Sequence, residues 1–375
     1  MHTQHKHSLK WFCIAAVGLM GLLLGCKFNP QGEVTKYDPD KAYKGYTLHS
    51  IYSLASPPSL KYLNVIDMQG NIVWSILDTT SPGNYWNDAE LMPNGHILTS
   101  GAPGPVLEID PATNKAVWQY PAANAIQEVS LLPDGNIIFL TQDLVDAPDY
   151  SPRCADRIQI VNPSTNAVVW EWKVEDHIPF NQYCPLCITQ KGIGCEGADW
   201  THANAVSYRK EAAGEAIYIN FRNLNRICKI EYPSGTVLWS LGDGGDFGQG
   251  LFSHAHDPEF LSNGNILLFD DGKHRNGDPN PGYSRAIEIA FDPAKKDARI
   301  VWEYNPTPSF YCDVMGDADR LPNGNTLITD ATNGRIVEVT PEKETVWEYQ
   351  LPPLEWIYRS QRIETWPIQQ ATDVK

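Results

Sequence analysis

An aliphatic residue followed by tryptophan recurs six times along the chain, at Val73 Trp74, Val117 Trp118, Val169 Trp170, Leu238 Trp239, Val301 Trp302 and Val346 Trp347. Successive tryptophans stand 44, 52, 69, 63 and 45 residues apart. That spacing suits a unit of four short strands with loops of variable length, the period of a propeller blade. Four units carry a hairpin signal ahead of the tryptophan strand: LMPNGHIL from Leu91, LPDGNII from Leu132, LSNGNIL from Leu261 and LPNGNTL from Leu321. Asn-Gly and Asp-Gly pairs tolerate the left-handed region, so both central residues are expected to take positive φ and to join adjacent antiparallel strands. Alternating, β-branched segments follow at 158–161, 227–230, 286–291 and 336–339.

The expected fold is therefore all-β, a six-bladed β-propeller over residues 46–350 in which the tryptophans pack each blade on the next. Two stretches stand outside the repeat: an insertion at 173–200 holding three cysteines, and a tail at 351–375 rich in Trp, Pro and Gln. Both are expected to cover a face or close the ring.

Ahead of the propeller, Lys6 and Lys10 precede an apolar run from Trp11 to Leu24, followed by Gly25 and Cys26. A run of about 14 residues is short for a roughly 30 Å hydrocarbon core, while a small residue before a cysteine suits lipoprotein processing. Residues 1–25 thus read as a removed signal, Cys26 as the lipidated residue and 26–45 as a tether. This places the protein in the cell envelope on a lipid anchor, in the outer membrane facing the periplasm or at the cell surface. The chain has 29 Lys and Arg against 45 Asp and Glu, a formal charge of −16, with no basic stripe. Phosphate neutralisation needs clustered cations, so nucleic acid is excluded as a partner.

Beyond Cys13 and Cys26 remain Cys154, Cys184, Cys187, Cys195, Cys228 and Cys312. In an oxidising compartment six such cysteines are expected to form disulfides. Cys184 and Cys187 have the spacing of a zinc knuckle, but no second pair follows at the usual distance, and nothing around them reads as a thioredoxin-like unit. No metal and no cofactor is expected.

Propellers bind ligands where the innermost strands open on the central channel. In the fourth unit the segment DWTHANAVSY opens at His202, and the neighbouring strand, 216–221, ends at Arg222. An imidazole beside a guanidinium suits an oxyanion. In the fifth unit FSHAHDPEF brings His254 and His256 to the same position, with Asp270 and Asp271 at the matching strand end. Residues i and i+2 share a face of a strand, so His254 and His256, with Asp257 or Asp271, form an alternative metal-ligand set.

The segments DWTHANAVSY, the strand ending in NFRN, HAHDPEFLSNGNILLFDDG and YSRAIEIAFD resemble those of the bacterial arylsulfate sulfotransferase family, lipid-anchored or periplasmic six-bladed propellers. The blade pattern covers most of the chain and the specific motifs cover 199–291. The resemblance implies transfer of a sulfuryl group from a phenolic sulfate ester to a phenol, by a ping-pong route through a sulfated histidine and without a nucleotide donor. It makes His256 the nucleophile, gives His202 and Arg222 catalytic roles and puts Asn204 and Asp257 on matching positions; with them, His254, Arg285 and Gln127 are expected to bind substrate. Imidazole has an ordinary pKa near 6.5, so it is largely neutral and nucleophilic at neutral pH, and it leaves readily once sulfated. His202, Asn204 and Arg222 are expected to hold the sulfuryl oxygens. One departure stands out: where the family has a further histidine followed by an acid, this chain has Gln127 and Glu128. Glutamine donates a hydrogen bond but cannot take a phenol's proton, and His254 is the residue expected to substitute. The competing reading of the same fold is a non-catalytic scaffold that binds a ligand or an envelope protein.

Overall fold

The computed structural model describes residues 29–54, 60–78, 85–149, 151–278, 282–306 and 309–368; the expected signal segment and Cys26 lie outside them. Successive strands of each sheet are antiparallel neighbours, as hairpin-connected units require, while the short strand Ala198–Asp199 of the insertion pairs in parallel with Pro152–Asn162. Ala203–Glu211, Gly214–Phe221, Arg226–Tyr232 and Val237–Gly242 form one four-stranded sheet, and His256–Phe260, Ile266–Asp270, Arg285–Asp292 and Asp297–Tyr304 form the next. Asp317–Arg320, Thr326–Asp330, Arg335–Val339 and Thr345–Gln350 follow, with Glu33–Tyr37 added at the outer edge. Seven further strands lie in line from Tyr85–Leu91 to Ala167–Lys173. The 17-residue strand Lys115–Leu131 sits in their middle. Its first part pairs with Gly104–Asp110 and its second, from Ala125, with Ile137–Asp146, so it serves as the outer strand of one unit and the inner strand of the next.

The remaining sheet runs Glu355–Ile363, Tyr46–Ser53, Leu60–Ile66, Ile72–Leu77. Here the two ends of the chain meet. The limits 46–350 are thereby widened: Glu33–Tyr37 pairs with Thr345–Gln350, and Glu355–Ile363 is an innermost strand that closes the ring, the second of the two roles expected for 351–375. Pairing the first sheet with the last strand removes two free edges that would otherwise template aggregation.

The repeated tryptophans explain how the units hold together. The indole of Trp74 donates to Pro111 O and Asn114 Oδ1, that of Trp118 to Asn166 Oδ1, and that of Trp170 to Pro233 O. Trp302 donates to Pro341 O, and Trp347, fully buried, donates to Met68 O in the first sheet. Each indole thus reaches a turn of the following unit, and the last reaches the first, which defines a closed β-propeller. Trp239 packs instead on Phe247 and Phe291.

The hairpins differ from the expected geometry. Gly95, Gly135, Gly264 and Gly324 have positive φ, whereas the preceding Asn or Asp does not. In each, the glycine amide returns to the carbonyl three residues earlier, as Gly264 does to Leu261. The Asn or Asp side chain accepts the amide two residues on, as Asn263 Oδ1 does from Asn265 at 2.9 Å. That local bond keeps the residue right-handed and leaves the left-handed position to glycine.

Candidate active site

Most of the inner strands carry a bulge where they open at the channel, and those bulges aim the side chains of interest. Arg222 donates its amide to His202 O at 3.0 Å, so the two residues are neighbours across the mouth of one sheet, as their strand positions predict. Buried Asp156 accepts from the amide of Ala203 at 2.7 Å and from the hydroxyl of Thr201, fixing the backbone on both sides of His202. Burial pushes the pKa of Asp156 up to about 6, opposed by these donors.

His202 Nδ1 lies 2.7 Å from Asp199 Oδ2, which also accepts from Asn223 Nδ2 at 3.0 Å. Burial works against the charge of Asp199, but His202, Asn223 and Arg222 more than offset it and hold the carboxyl below its ordinary range. Arg222 donates to Asn223 Oδ1 and to Asp313 O, and its Nε stands 3.8 Å from Asp271 Oδ2. The other oxygen of Asp271 lies 2.9 Å from His256 Nδ1. His256 and Arg222, from adjacent sheets, therefore share one buried carboxylate.

The tautomer of His256 follows from its two partners. The backbone amide of Met315 donates to Nε2 at 3.3 Å, so Nε2 carries a lone pair and Nδ1 carries the hydrogen donated to Asp271. Burial holds the His256 pKa well below its ordinary value, reinforced by Arg222 and Arg359, so the ring is neutral. Burial likewise pushes Asp271 upward, opposed by Arg222. The result is an oriented, uncharged imidazole whose unprotonated nitrogen is Nε2.

Gln127 joins the same network. Its Nε2 is 3.4 Å from His202 Nε2, and its Oε1 accepts from the hydroxyl of Tyr358. Counting back from the inner-strand ends at Leu131 and Phe260, which pair with Ile137 and Ile266, Gln127 occupies the register position of His256. Arg359 occupies it in the strand ending at Ile363. The next residue along is acidic in four units: Asp88, Glu128, Asp257 and Asp317. Arg359 NH1 stands 3.3 Å from Asp257, 3.5 Å from Glu128 and 3.8 Å from Asp88, and a second nitrogen donates to Asn204 O. Neither Arg359 nor Tyr358 was anticipated, because 351–375 lacks the repeat signal.

Of the expected residues, His202, Arg222, His256 and Gln127 come together. Asn204 lies beside them, but its amide nitrogen donates to Ala255 O and its oxygen accepts from Asn220, so it braces the His256 strand. Asp257 faces Arg359 and the channel. Arg285 is spent on Asp270, Glu303 and Leu251 O; Asp270 in turn accepts the amide of Ser253, so Arg285 supports the histidine loop from behind. His254 points away from Gln127 toward Cys187, with Nε2 3.1 Å from the sulfur. Disulfides join Cys154 to Cys195 and Cys184 to Cys187, while Cys228 and Cys312 are buried and free, correcting the expectation that all six pair. Burial pushes both free thiols up to about 12, consistent with inert core residues.

Two spaces adjoin the network. The central channel, about 200 Å³, is lined by Asp88, Glu90, Glu128, Asp257, Asp317 and Asp319. A cleft of about 640 Å³ on the insertion side is lined by Tyr183, Leu186, Asn223, His254 and His274. Arg359 also lines the channel, among acids whose pKa values burial raises.

A closed propeller with a neutral histidine, an arginine and a second histidine converging at the channel mouth defines a class of oxyanion-handling sites. Residues 34–359 match the arylsulfotransferase (ASST) family, and the chain belongs to it. A crystal structure of a protein of unknown function from Bacteroides caccae has a TM-score of 0.55 and 17% identity, covering 85% of this chain and 98% of that one, a likeness of fold. BamB from Moraxella catarrhalis has a TM-score of 0.36 and 10% identity over 82% of this chain and 75% of its own. No curated protein matches in sequence.

Proposed function

We propose that this protein, a six-bladed propeller held to a membrane by lipid on Cys26, moves a sulfuryl group from an aryl sulfate ester to a phenol by two displacements at His256. The observation that carries the reading is the sharing of Asp271 by His256 and Arg222, with His202 and Gln127 in the same network. In the first displacement the lone pair of His256 Nε2 forms the N–S bond as the S–O bond to the aryl group breaks, and the electron pair leaves on the phenolate. Arg222 and His202 hold the sulfuryl oxygens while Asp271 keeps the Nδ1 hydrogen in place. In the second, an acceptor phenolate attacks sulfur and the N–S bond returns its pair to Nε2.

Gln127 cannot exchange a proton, so donor and acceptor phenols must pass through the site as phenolates. The reading therefore favours acidic phenols. The test is release of nitrophenol from 4-nitrophenyl sulfate, with and without added phenol. Release that rises with phenol and is absent in His256→Ala supports the proposal. No release from folded protein over a range of aryl sulfates refutes it and leaves a binding scaffold.

A further inference from the structure

We propose that Cys184, Cys187, His254 and His274 form a tetrahedral zinc site that fastens the 173–200 insertion to the loop carrying His256. One ligand atom from each residue lies within 4.8 Å of the others. Cys187 Sγ is 3.1 Å from His254 Nε2 and 3.6 Å from His274 Nδ1, and Cys184 Sγ is 3.6 Å from His274 Nδ1. With metal–sulfur bonds of about 2.3 Å and metal–nitrogen bonds of about 2.0–2.1 Å, tetrahedral geometry sets sulfur and nitrogen roughly 3.6 Å apart. Two of the three sulfur–nitrogen distances thus match ligand spacing and the third is shorter, while the two sulfurs, bonded to each other, have still to separate.

Three features separate this from a disulfide that happens to lie near histidines. The sulfurs and the imidazoles come from segments 67 to 90 residues apart, and a disulfide needs no imidazole beside it. Cys187 and His254 are 2% and 1% exposed, so these ring and sulfur atoms face each other and not water. His254 Nδ1 is 3.3 Å from Ser253 Oγ, and the amide of Cys187 donates to Cys184 Sγ at 3.2 Å, the outer hydrogen bonds that orient metal ligands. Two thiolates with two imidazoles in a tetrahedron select zinc, and four protein ligands leave no open position, so the role is structural. The pair Cys184–Cys187 is bonded in the structure and must first be reduced. A dithiol supplies two electrons and two protons, becoming its own disulfide and leaving two thiols here. Zinc then binds both sulfurs as thiolates, and the two protons pass to solvent.

The test uses the full-length protein, reduced with a phosphine, which is oxidised to its oxide as water supplies the oxygen and two protons, then freed of metal and titrated with Co(II). The expected result is one cobalt per chain, with intense visible bands of tetrahedral geometry and a sulfur-to-cobalt charge-transfer band, all displaced by zinc. Cys187→Ser and His274→Ala are expected to lose more than about ten-fold in affinity, while Cys312→Ser is not. His274 is only partly buried, so its variant reads out the site even where Cys187→Ser does not fold. Absence of these bands in the reduced wild type, or bands that persist in His274→Ala, overturns the proposal.

Discussion

Replacing Arg359 by glutamine is expected to destabilise the fold, and to do so more at high pH. The guanidinium is buried, with Asp257, Glu128 and Asp88 at 3.3, 3.5 and 3.8 Å. At an effective dielectric near 20, each contact represents about 4–5 kcal/mol of attraction, largely cancelled by desolvation and by repulsion among the acids. Removing one partner of such a cluster costs about 3–5 kcal/mol because charge is left buried and unmatched. The acids can escape by taking up protons. Burial already pushes Glu128 well up and raises Asp88, in each case opposed by Arg359, and it raises Asp317 to about 8. Without Arg359 these carboxyls rise further, so the folded variant binds protons that the unfolded chain has released, and its stability falls as pH rises. Urea unfolding at pH 8 and pH 5 measures this. The expected loss is about 3–5 kcal/mol at pH 8, and roughly half that at pH 5. Arg359→Lys, which keeps the charge, is expected to restore most of the difference. A loss below about 1 kcal/mol at both pH values, or a greater loss at pH 5, would refute the reasoning.

His256→Ala is expected to lower nitrophenol release roughly a thousand-fold or more, with folding unchanged by circular dichroism; retained turnover would move the nucleophile elsewhere. Gln127→His is expected to raise turnover with weakly acidic phenol leaving groups several-fold and to leave 4-nitrophenyl sulfate unaffected, because only the former need a proton; equal effects on both would contradict the role given to Gln127. Trp347→Phe, which strands Met68 O at the ring closure, is expected to cost about 1–3 kcal/mol in thermal unfolding, against less than about 1 kcal/mol for the more exposed Trp118→Phe. With a net charge of −16, raising the ionic strength from about 10 to 150 mM is expected to lower KM for an aryl sulfate, and a rise would show that local cations dominate.

The repeat was legible because its cause is periodic: five of the six tryptophans reach a turn of the next unit, and four hairpins put a glycine in the left-handed position. Sequence spacing also placed His202, Arg222 and His256 together, since strand ends on a propeller converge on one channel. What it missed is non-local. Glu355–Ile363 lacks its own hairpin, having Tyr46–Ser53 from the other end of the chain as partner, so nothing local marks Tyr358 and Arg359 as channel residues. His254 and His256 were read as sharing a face because they are two apart. Positive φ at His254 breaks the strand alternation, and the two rings diverge, one to Cys187 and the other to Asp271. Backbone conformation at single residues is the level at which pattern reading ends.

The division of charge along the axis bears on the proposed reaction. One register position supplies His256, Gln127 and Arg359, and the next supplies Asp88, Glu128, Asp257 and Asp317 in four units. The Arg359 guanidinium stands among these acids, while Arg222 shares Asp271 with His256 and is the cation that the donor of the proposed reaction would meet. In the proposed reaction the sulfuryl group waits on His256 between the departure of the donor's phenolate and the arrival of the acceptor, held in place by the carboxylate that His256 shares with Arg222.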